Sequence, residues 1–307
     1  MFKEMDIETY RSYVKKIVDS LPKLFENIPS NTYIEKIISL SGVETRVMVY
    51  YPPTEQTEIL PVFVNLHGGG FVVGFAEGDD IFCRLLANEA RCVVVNLDYM
   101  LAPENPFPGA LEECYRLMKW MWKNPGELKI DPQRMGIGGH SAGGNLAASV
   151  CLLAKERKEF PIKCQIIDYA PLDLATSPKL KNRIGSTTDV GEKAEDLVEL
   201  AEKYNGWYLR KKEDGFNPLV SPILAADLTD LPPALIIAAE YDVLFVDDKQ
   251  LAKRLSAAGV EVQYKLFEGC DHGFTHTGPR EAAMDAWMLM AAFLRKYISY
   301  ARTEESI

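Results

Sequence analysis

Two kinds of apolar patterning alternate along this chain. Ile7, Tyr10, Val14, Ile17, Val18 and Leu21 recur at helical spacing with charges between them, which predicts an amphipathic helix ending near Pro22. Residues Tyr33–Ser39 and Thr45–Tyr51 alternate well enough to form two strands around a Ser41-Gly42 turn. Leu60–Leu66 is a short unbroken apolar run, as in a strand buried on both faces. From there the rhythm is regular. The pattern predicts helices at Ile81–Glu89, Gly109–Lys123 and Ala142–Arg157, with strands at Cys92–Leu97, Arg134–Gly138 and Lys163–Tyr169 between or after them.

The rhythm breaks at Ala175–Asn217, a charge-rich stretch with no strand-like run and one amphipathic helix, Ala194–Leu209. It reads as an insertion. Strands Leu235–Ala239 and Glu261–Phe267 then alternate with helices Asp247–Ala258 and Glu281–Tyr300. Strands and helices in alternation imply an α/β protein with a mostly parallel sheet covered on both faces.

A chain of 307 residues, 47% hydrophobic and 25% charged, has the profile of a soluble globular protein with an ordinary core. The net charge of −10 argues against nucleic acid and anionic membranes as partners. No run approaches the length of a membrane span, and the N-terminal stretch lacks the apolar segment of a signal peptide. Six scattered cysteines without a C-x-x-C pair suit free thiols in a reducing cytosol and provide no zinc pattern. A cytoplasmic location follows as the expectation.

Candidate chemistry centres on Gly139-His140-Ser141-Ala142-Gly143, which fits G-x-S-x-G. Five residues are weak evidence by themselves, but these lie between an expected strand and an expected helix, where a nucleophile elbow belongs. A serine hydroxyl needs a base, and the base needs a group that orients it. His140 adjoins Ser141 in the turn, so its side chain should point away. His67 sits in a glycine-rich loop, where a structural role is expected. His272, in the loop between the last strand and the last helix, is the favoured base, with His276 second. Catalytic groups collect at the C-terminal ends of parallel strands. Asp242 follows a strand and fits the acid; Asp247 and Asp248 lie one turn later and could cap a helix instead. His67-Gly68-Gly69-Gly70 offers backbone N–H groups without side chains, and the amide of Ala142 follows the nucleophile. Both suit an oxyanion hole.

These stretches resemble the hormone-sensitive lipase-like esterases of the α/β-hydrolase fold. The matching segments are His67–Phe71, Asp98–Glu104 with Pro106-Phe107-Pro108, Gly139–Ala147, Asp168–Asp173, Asn217-Pro218 through Ser221-Pro222, Leu231–Asp242 and His272-Gly273-Phe274. The resemblance implies an eight-stranded, mostly parallel sheet flanked by helices. It implies a small helical cap built from residues 1–30 and 175–217, over a core of 31–174 and 218–307. It assigns Ser141 as nucleophile, Asp242 as acid and His272 as base, with the amides of Gly69, Gly70 and Ala142 as oxyanion donors. Three positions depart from the family pattern. His140 stands where aspartate is usual, Met100 where arginine is common, and Val243–Asp248 replaces the usual Pro-Leu-Arg-Asp-Glu-Gly.

The expected activity is serine carboxylesterase hydrolysis of small-molecule esters with short acyl chains, through an acyl-enzyme and without metal or organic cofactor. Activity should fall at acid pH, because only neutral His272 accepts a proton. Two other readings stand beside it: an amidase or peptidase on the same fold, and a non-catalytic ligand receptor. A homodimer through the last strand and helix is the assembly the resemblance allows.

Overall fold

The computed structural model describes residues 6–20, 24–25, 33–53, 58–185 and 191–299. Eight strands form one sheet: β1 (Tyr33–Leu40), β2 (Val43–Tyr50), β3 (Leu60–Leu66), β4 (Val93–Asp98), β5 (Ile130–His140), β6 (Cys164–Asp168), β7 (Ala234–Ala239) and β8 (Val262–Phe267). Their order is β1-β2-β4-β3-β5-β6-β7-β8. The first two pairings, β1 with β2 and β2 with β4, are antiparallel; all others are parallel. The helices are α1 (Ile7–Ser20), α2 (Asp80–Ala90), α3 (Gly109–Lys123), α4 (Ala142–Arg157), α5 (Pro178–Gly185), α6 (Gly191–Tyr208), α7 (Phe245–Ala257), α8 (Phe274–Thr277) and α9 (Arg280–Tyr297).

The unbroken apolar runs have a direct cause. Side chains alternate between the two faces of a strand, and both faces of this sheet are covered. Val62, Val64 and Leu66 of β3 belong to one buried cluster with Leu111 of α3, Leu146 of α4 and Leu251 of α7. The intervening Phe63 packs with Phe82 and Leu86 of α2 and Trp287 and Leu294 of α9. Strands β3, β6 and β7 are buried along their whole length. At the edge, β8 alternates between half-buried and exposed positions until Phe267, as a strand with one covered face does.

Most expected elements coincide with the observed ones within a residue or two. The end of the first helix near Pro22, with Leu21, lies outside the described residues. The insertion differs from expectation: it holds two helices, not one. In α5 the buried side chains include Lys181, while Leu180 is exposed. A search for an apolar face passes over such a helix. Lys181 is buried because its ammonium donates to Asp247 Oδ2 at 2.5 Å and to the Asp173 carbonyl, which ties the insertion to α7. Strand β5 also begins earlier than the apolar run, since Asp131-Pro132-Gln133 continues it. All six cysteines are buried and unpaired. No helix among the described residues is long and apolar enough to cross a membrane.

Candidate active site

Ser141 sits between β5 and α4 with φ 52° and ψ −121°, a conformation L-residues rarely hold. The turn is that sharp because three backbones converge. A Cβ on Gly139 would lie 2.3 Å from the Leu66 carbonyl oxygen, and one on Gly143 would lie 1.9 Å from the same atom. Only glycine allows β3 and the start of α4 to close on the elbow. The Ser141 N–H donates to the Asp168 carbonyl at 2.8 Å, and Asn145 of α4 donates to the Pro171 and Val220 carbonyls at 2.6 and 2.8 Å. These bonds anchor the elbow to the next strand's loop and to the chain returning from the insertion.

His272, in the loop after β8, places Nε2 3.0 Å from Ser141 Oγ. Its Nδ1 lies 2.6 Å from Asp242 Oδ2. Asp242 is buried, and its Oδ1 accepts the Leu244 N–H at 2.9 Å. Since the carboxylate is acceptor-only, Nδ1 carries the proton and Nε2 faces the serine as acceptor. Asp247 and Asp248 are bound elsewhere. Asp247 Oδ2 accepts the Leu172 and Asp173 N–H groups as well as Lys181, and Asp248 Oδ1 accepts the Ala170 N–H. They fasten the loop after β6, which gives the segment after Asp242 a structural role.

The glycine run follows β3. Gly69 has φ 121° and Gly70 φ 59°, and the Gly69 carbonyl accepts the N–H groups of Val72 and Val73, closing a turn. A Cβ on Gly70 would lie 1.9 Å from the ring of Tyr204 in α6. Tyr204 in turn shares a 2.8 Å hydrogen bond with the hydroxyl of Tyr10 in α1. Ala142 opens α4, so its N–H has no acceptor within the helix. From α1, Arg11 donates to the carbonyls of Val72 and Ala102 and pairs with Glu104. Helices α1 and α6 thus meet beside the glycine run.

The other three histidines lie on the opposite side of the elbow. His67 stacks on Tyr99 at 4.1 Å, and its Nδ1 donates to the Gly68 carbonyl at 2.7 Å. His140 points away from Ser141, as its position in the turn requires, and its Nε2 accepts the Gly68 N–H at 2.8 Å. His276, the second choice as base, bonds through Nδ1 with Tyr169 and Thr275, each at 3.0 Å, while its Nε2 faces Asp79. Burial pushes the His140 imidazole down to about 3, with His276 adding to the shift, so His140 is neutral at working pH. Nothing in the sequence marks Asp79 or Arg11, and Tyr204 reads there only as one position on the apolar side of the insertion's helix. Asp79 follows Gly78 and precedes a helix, a pattern that reads as an ordinary cap, and no local signal distinguishes it.

A family model described as the alpha/beta hydrolase fold matches residues 63–276. The chain is 31% identical over 282 residues to an arylesterase of Saccharolobus solfataricus, covering 92% of this chain and 89% of the relative. It is 32% identical over 257 residues to carboxylesterase NlhH of Mycobacterium tuberculosis, with 82% and 78% covered. Among solved structures, a hyperthermophilic esterase from the archaeon Pyrobaculum calidifontis matches with a TM-score of 0.86 at 36% identity, covering 95% of this chain and 94% of that one. A thermostable metagenomic carboxylesterase, EstE1, matches with a TM-score of 0.85 at 32% identity, covering 98% and 100%. With these likenesses spanning sheet and elbow alike, the chain belongs to the hormone-sensitive lipase-like esterase family of the α/β-hydrolase fold, and it is a carboxylic ester hydrolase.

Proposed function

We propose that this carboxylesterase cleaves short-chain acyl esters with a triad of Ser141, His272 and Asp242. The observation that carries the reading is the continuous chain from Asp242 Oδ2 to His272 Nδ1 at 2.6 Å and from His272 Nε2 to Ser141 Oγ at 3.0 Å, ending on a strained elbow. His272 Nε2 takes the hydroxyl proton as Oγ attacks the ester carbonyl, and Asp242 stabilises the imidazolium that forms. The amides of Gly69, Gly70 and Ala142 receive the charge on the tetrahedral oxygen. Collapse expels the alcohol, which takes the proton from His272. Water, deprotonated by the same nitrogen, then attacks the acyl-enzyme, and a second collapse releases the acid and restores Ser141.

Residues 1–30 and 175–217 serve as the cap in this reading, over a core of 31–174 and 218–307. The packing of Tyr204 on Gly70, the Tyr10–Tyr204 hydrogen bond and the bonds from Arg11 to the Val72 and Ala102 carbonyls support that division. Tyr204 and Tyr10, with Trp207 beside them, place aromatic bulk against Gly70. That bulk supports acyl chains of about two to six carbons, a range drawn from the family resemblance and consistent with a site narrowed by aromatic side chains. Six unpaired thiols fit a reducing, cytoplasmic setting, and a net charge of −10 favours small neutral esters over nucleic acid as partner. A homodimer formed through the exposed edge of β8 and the adjoining α9 is the assembly this fold offers.

Hydrolysis of aryl acetate and butyrate by the wild type and Ser141→Ala tests the reading. A loss of roughly three or more orders of magnitude in kcat is expected. Equal, low rates in both would sink it. Across an acyl series the rate should peak at the short end; a maximum at ten carbons or more would overturn the chain-length assignment.

A further inference from the structure

We propose that His140 and Asp79 are positioning residues for the oxyanion loop, forming a buried imidazole–carboxylate pair that holds Gly68 and through it aims the Gly69 amide. This deepens the serine-esterase reading and rests on it.

The argument begins with where one proton sits. The Gly68 N–H donates to His140 Nε2 at 2.8 Å, so that nitrogen carries no proton. A neutral imidazole then bears its proton on Nδ1. Nδ1 faces Asp79 Oδ2 at 3.7 Å. That separation is too long for a hydrogen bond, but in a buried site a carboxylate still favours the tautomer that turns an N–H toward it. Asp79 is itself fixed. Its Oδ2 accepts Asn65 Nδ2 at 2.7 Å, and its Oδ1 lies 3.3 Å from His276 Nε2. Burial opposes its charge, but the facing His140 and His276 hold its carboxyl below the usual carboxylate range.

The consequence reaches the loop through peptide geometry. His140 packs so closely on Gly68 that a Cβ there would lie 2.7 Å from its Cδ2. It holds the N–H of Gly68, while His67 Nδ1 holds the carbonyl of the same residue at 2.7 Å. Bonds on both sides leave Gly68 little freedom in φ and ψ. The peptide that follows is planar and trans, so the Gly69 N–H points opposite to the Gly68 carbonyl. Fixing one aims the other.

The same groups invite a different reading. Among the described residues, Asp79, His140 and His276 bring ligand atoms within 4.8 Å of one another, as a metal site would. The proton bookkeeping argues otherwise. A metal on His140 Nδ1 takes the lone pair there and drives the proton to Nε2, where it would confront the Gly68 N–H. Binding a cation would therefore break the bond that ties this cluster to the loop.

The full-length chain tests this with His140→Leu, His140→Gln and Asp79→Asn, assayed on aryl butyrate for kcat and KM beside wild type and Ser141→Ala, with zinc content measured. Losing an oxyanion donor costs about 10²–10³ in kcat, so misaiming one through His140→Leu should cost roughly 10- to 100-fold with KM nearly unchanged. His140→Gln, whose Oε1 can accept the Gly68 N–H, should stay within about fivefold of wild type. Affinity for a trifluoromethyl ketone, whose oxyanion uses the same donors, should fall in parallel with kcat. Should His140→Leu not fold, Asp79→Asn carries the test, with an expected loss of about threefold or more in kcat. Wild-type kcat in His140→Leu or, failing its folding, in Asp79→Asn would overturn the proposal, as would a Gln variant no better than Leu. Stoichiometric zinc whose removal lowers kcat would replace it with a metal centre. In each case Ser141-dependent hydrolysis shows that the triad reading survives; its absence in wild type marks failure of that reading instead.

Discussion

Replacing Asp242 with asparagine should stop catalysis while leaving the fold intact, and the hydrogen bonds around it say why. Asp242 Oδ1 accepts the Leu244 N–H at 2.9 Å, and Oδ2 faces His272 Nδ1 at 2.6 Å. An asparagine has one acceptor oxygen. If it keeps the Leu244 bond, its amide NH2 must face His272. Nδ1 then becomes the acceptor and Nε2 takes the proton. The imidazole now donates to Ser141 Oγ and cannot remove its proton. A triad with the wrong tautomer loses about 10⁴ in kcat, or about 5 kcal/mol of transition-state stabilisation. The Leu244 bond persists, so the urea midpoint should move little. The assay is aryl butyrate hydrolysis by the wild type, Asp242→Asn and Asp248→Asn. Asp248 holds the Ala170 N–H and no histidine, and asparagine keeps an oxygen for that bond, so its variant should stay folded with kcat largely retained. An Asp242→Asn enzyme within tenfold of wild type, or an Asp248→Asn enzyme that is folded and dead, would refute the assignment of the acid.

Two glycines should separate the elbow's backbone packing from the contact with α6. A Cβ on Gly143 meets the backbone oxygens of Leu66 and His67 at 1.9 and 2.6 Å, so Gly143→Ala should cost about 3 kcal/mol or more, read as lost soluble yield or a lowered urea midpoint. A Cβ on Gly70 meets the side chain of Tyr204 instead. Gly70→Ala should then cost about 2 kcal/mol, from a left-handed alanine and a broken Tyr10–Tyr204 bond, and Tyr204→Ala added to it should restore part of the stability. The pH dependence of folding offers a third check. His140 lies near 3 when folded and near 6.5 when unfolded, so its contribution is present above about 6.5 and lost as pH falls toward 3, by up to about 1.4 kcal/mol per unit. Burial raises the carboxyls of Asp168 and Asp248, which gives the opposite slope, so the informative quantity is a difference between proteins. The stability of wild type relative to His140→Gln should be about 2 kcal/mol smaller at pH 5 than at pH 7 by urea denaturation; a constant difference would contradict the neutral buried imidazole.

The main features of the sheet and the elbow were legible because their causes are local or periodic. Leu60–Leu66 has to be apolar throughout when helices cover both faces, and its observed strand has the bounds its composition implies. Ser141 needed only its two glycines and their position between strand and helix. Asp242 and His272 needed a further premise, that functional loops follow parallel strands, and both do follow β7 and β8. Legibility ended where a side chain's role depends on a partner distant in sequence. Lys181 is buried by its pairing with Asp247; nothing near it marks it as inward-facing, so α5 went unseen. Arg11 read as one more charge on an amphipathic helix, yet it ties α1 to the Val72 and Ala102 carbonyls.

His140 shows both sides of that boundary. Geometry at the elbow required it to point away from the serine, and it does. What it meets there depends on the loop after β3, which brings Gly68, and on the turn before α2, which brings Asp79, itself held by Asn65 of β3. An aspartate at position 140 would place a second carboxylate beside Asp79 and present no donor to it. The imidazole has one nitrogen for the Gly68 N–H and one proton for the Asp79 side. Histidine in this tautomer accepts from the loop and turns an N–H to a buried carboxylate, whereas an ionised acidic side chain can do only the first. His140→Asp should therefore be worse for this chain than His140→Gln: the two buried carboxylates could not both stay ionised at low cost. The expected outcome is a lower urea midpoint for His140→Asp, recovered in part when Asp79→Asn is added. Equal stability of the aspartate and glutamine variants would show that Asp79 and position 140 are not coupled, and the tautomer argument would fall with it.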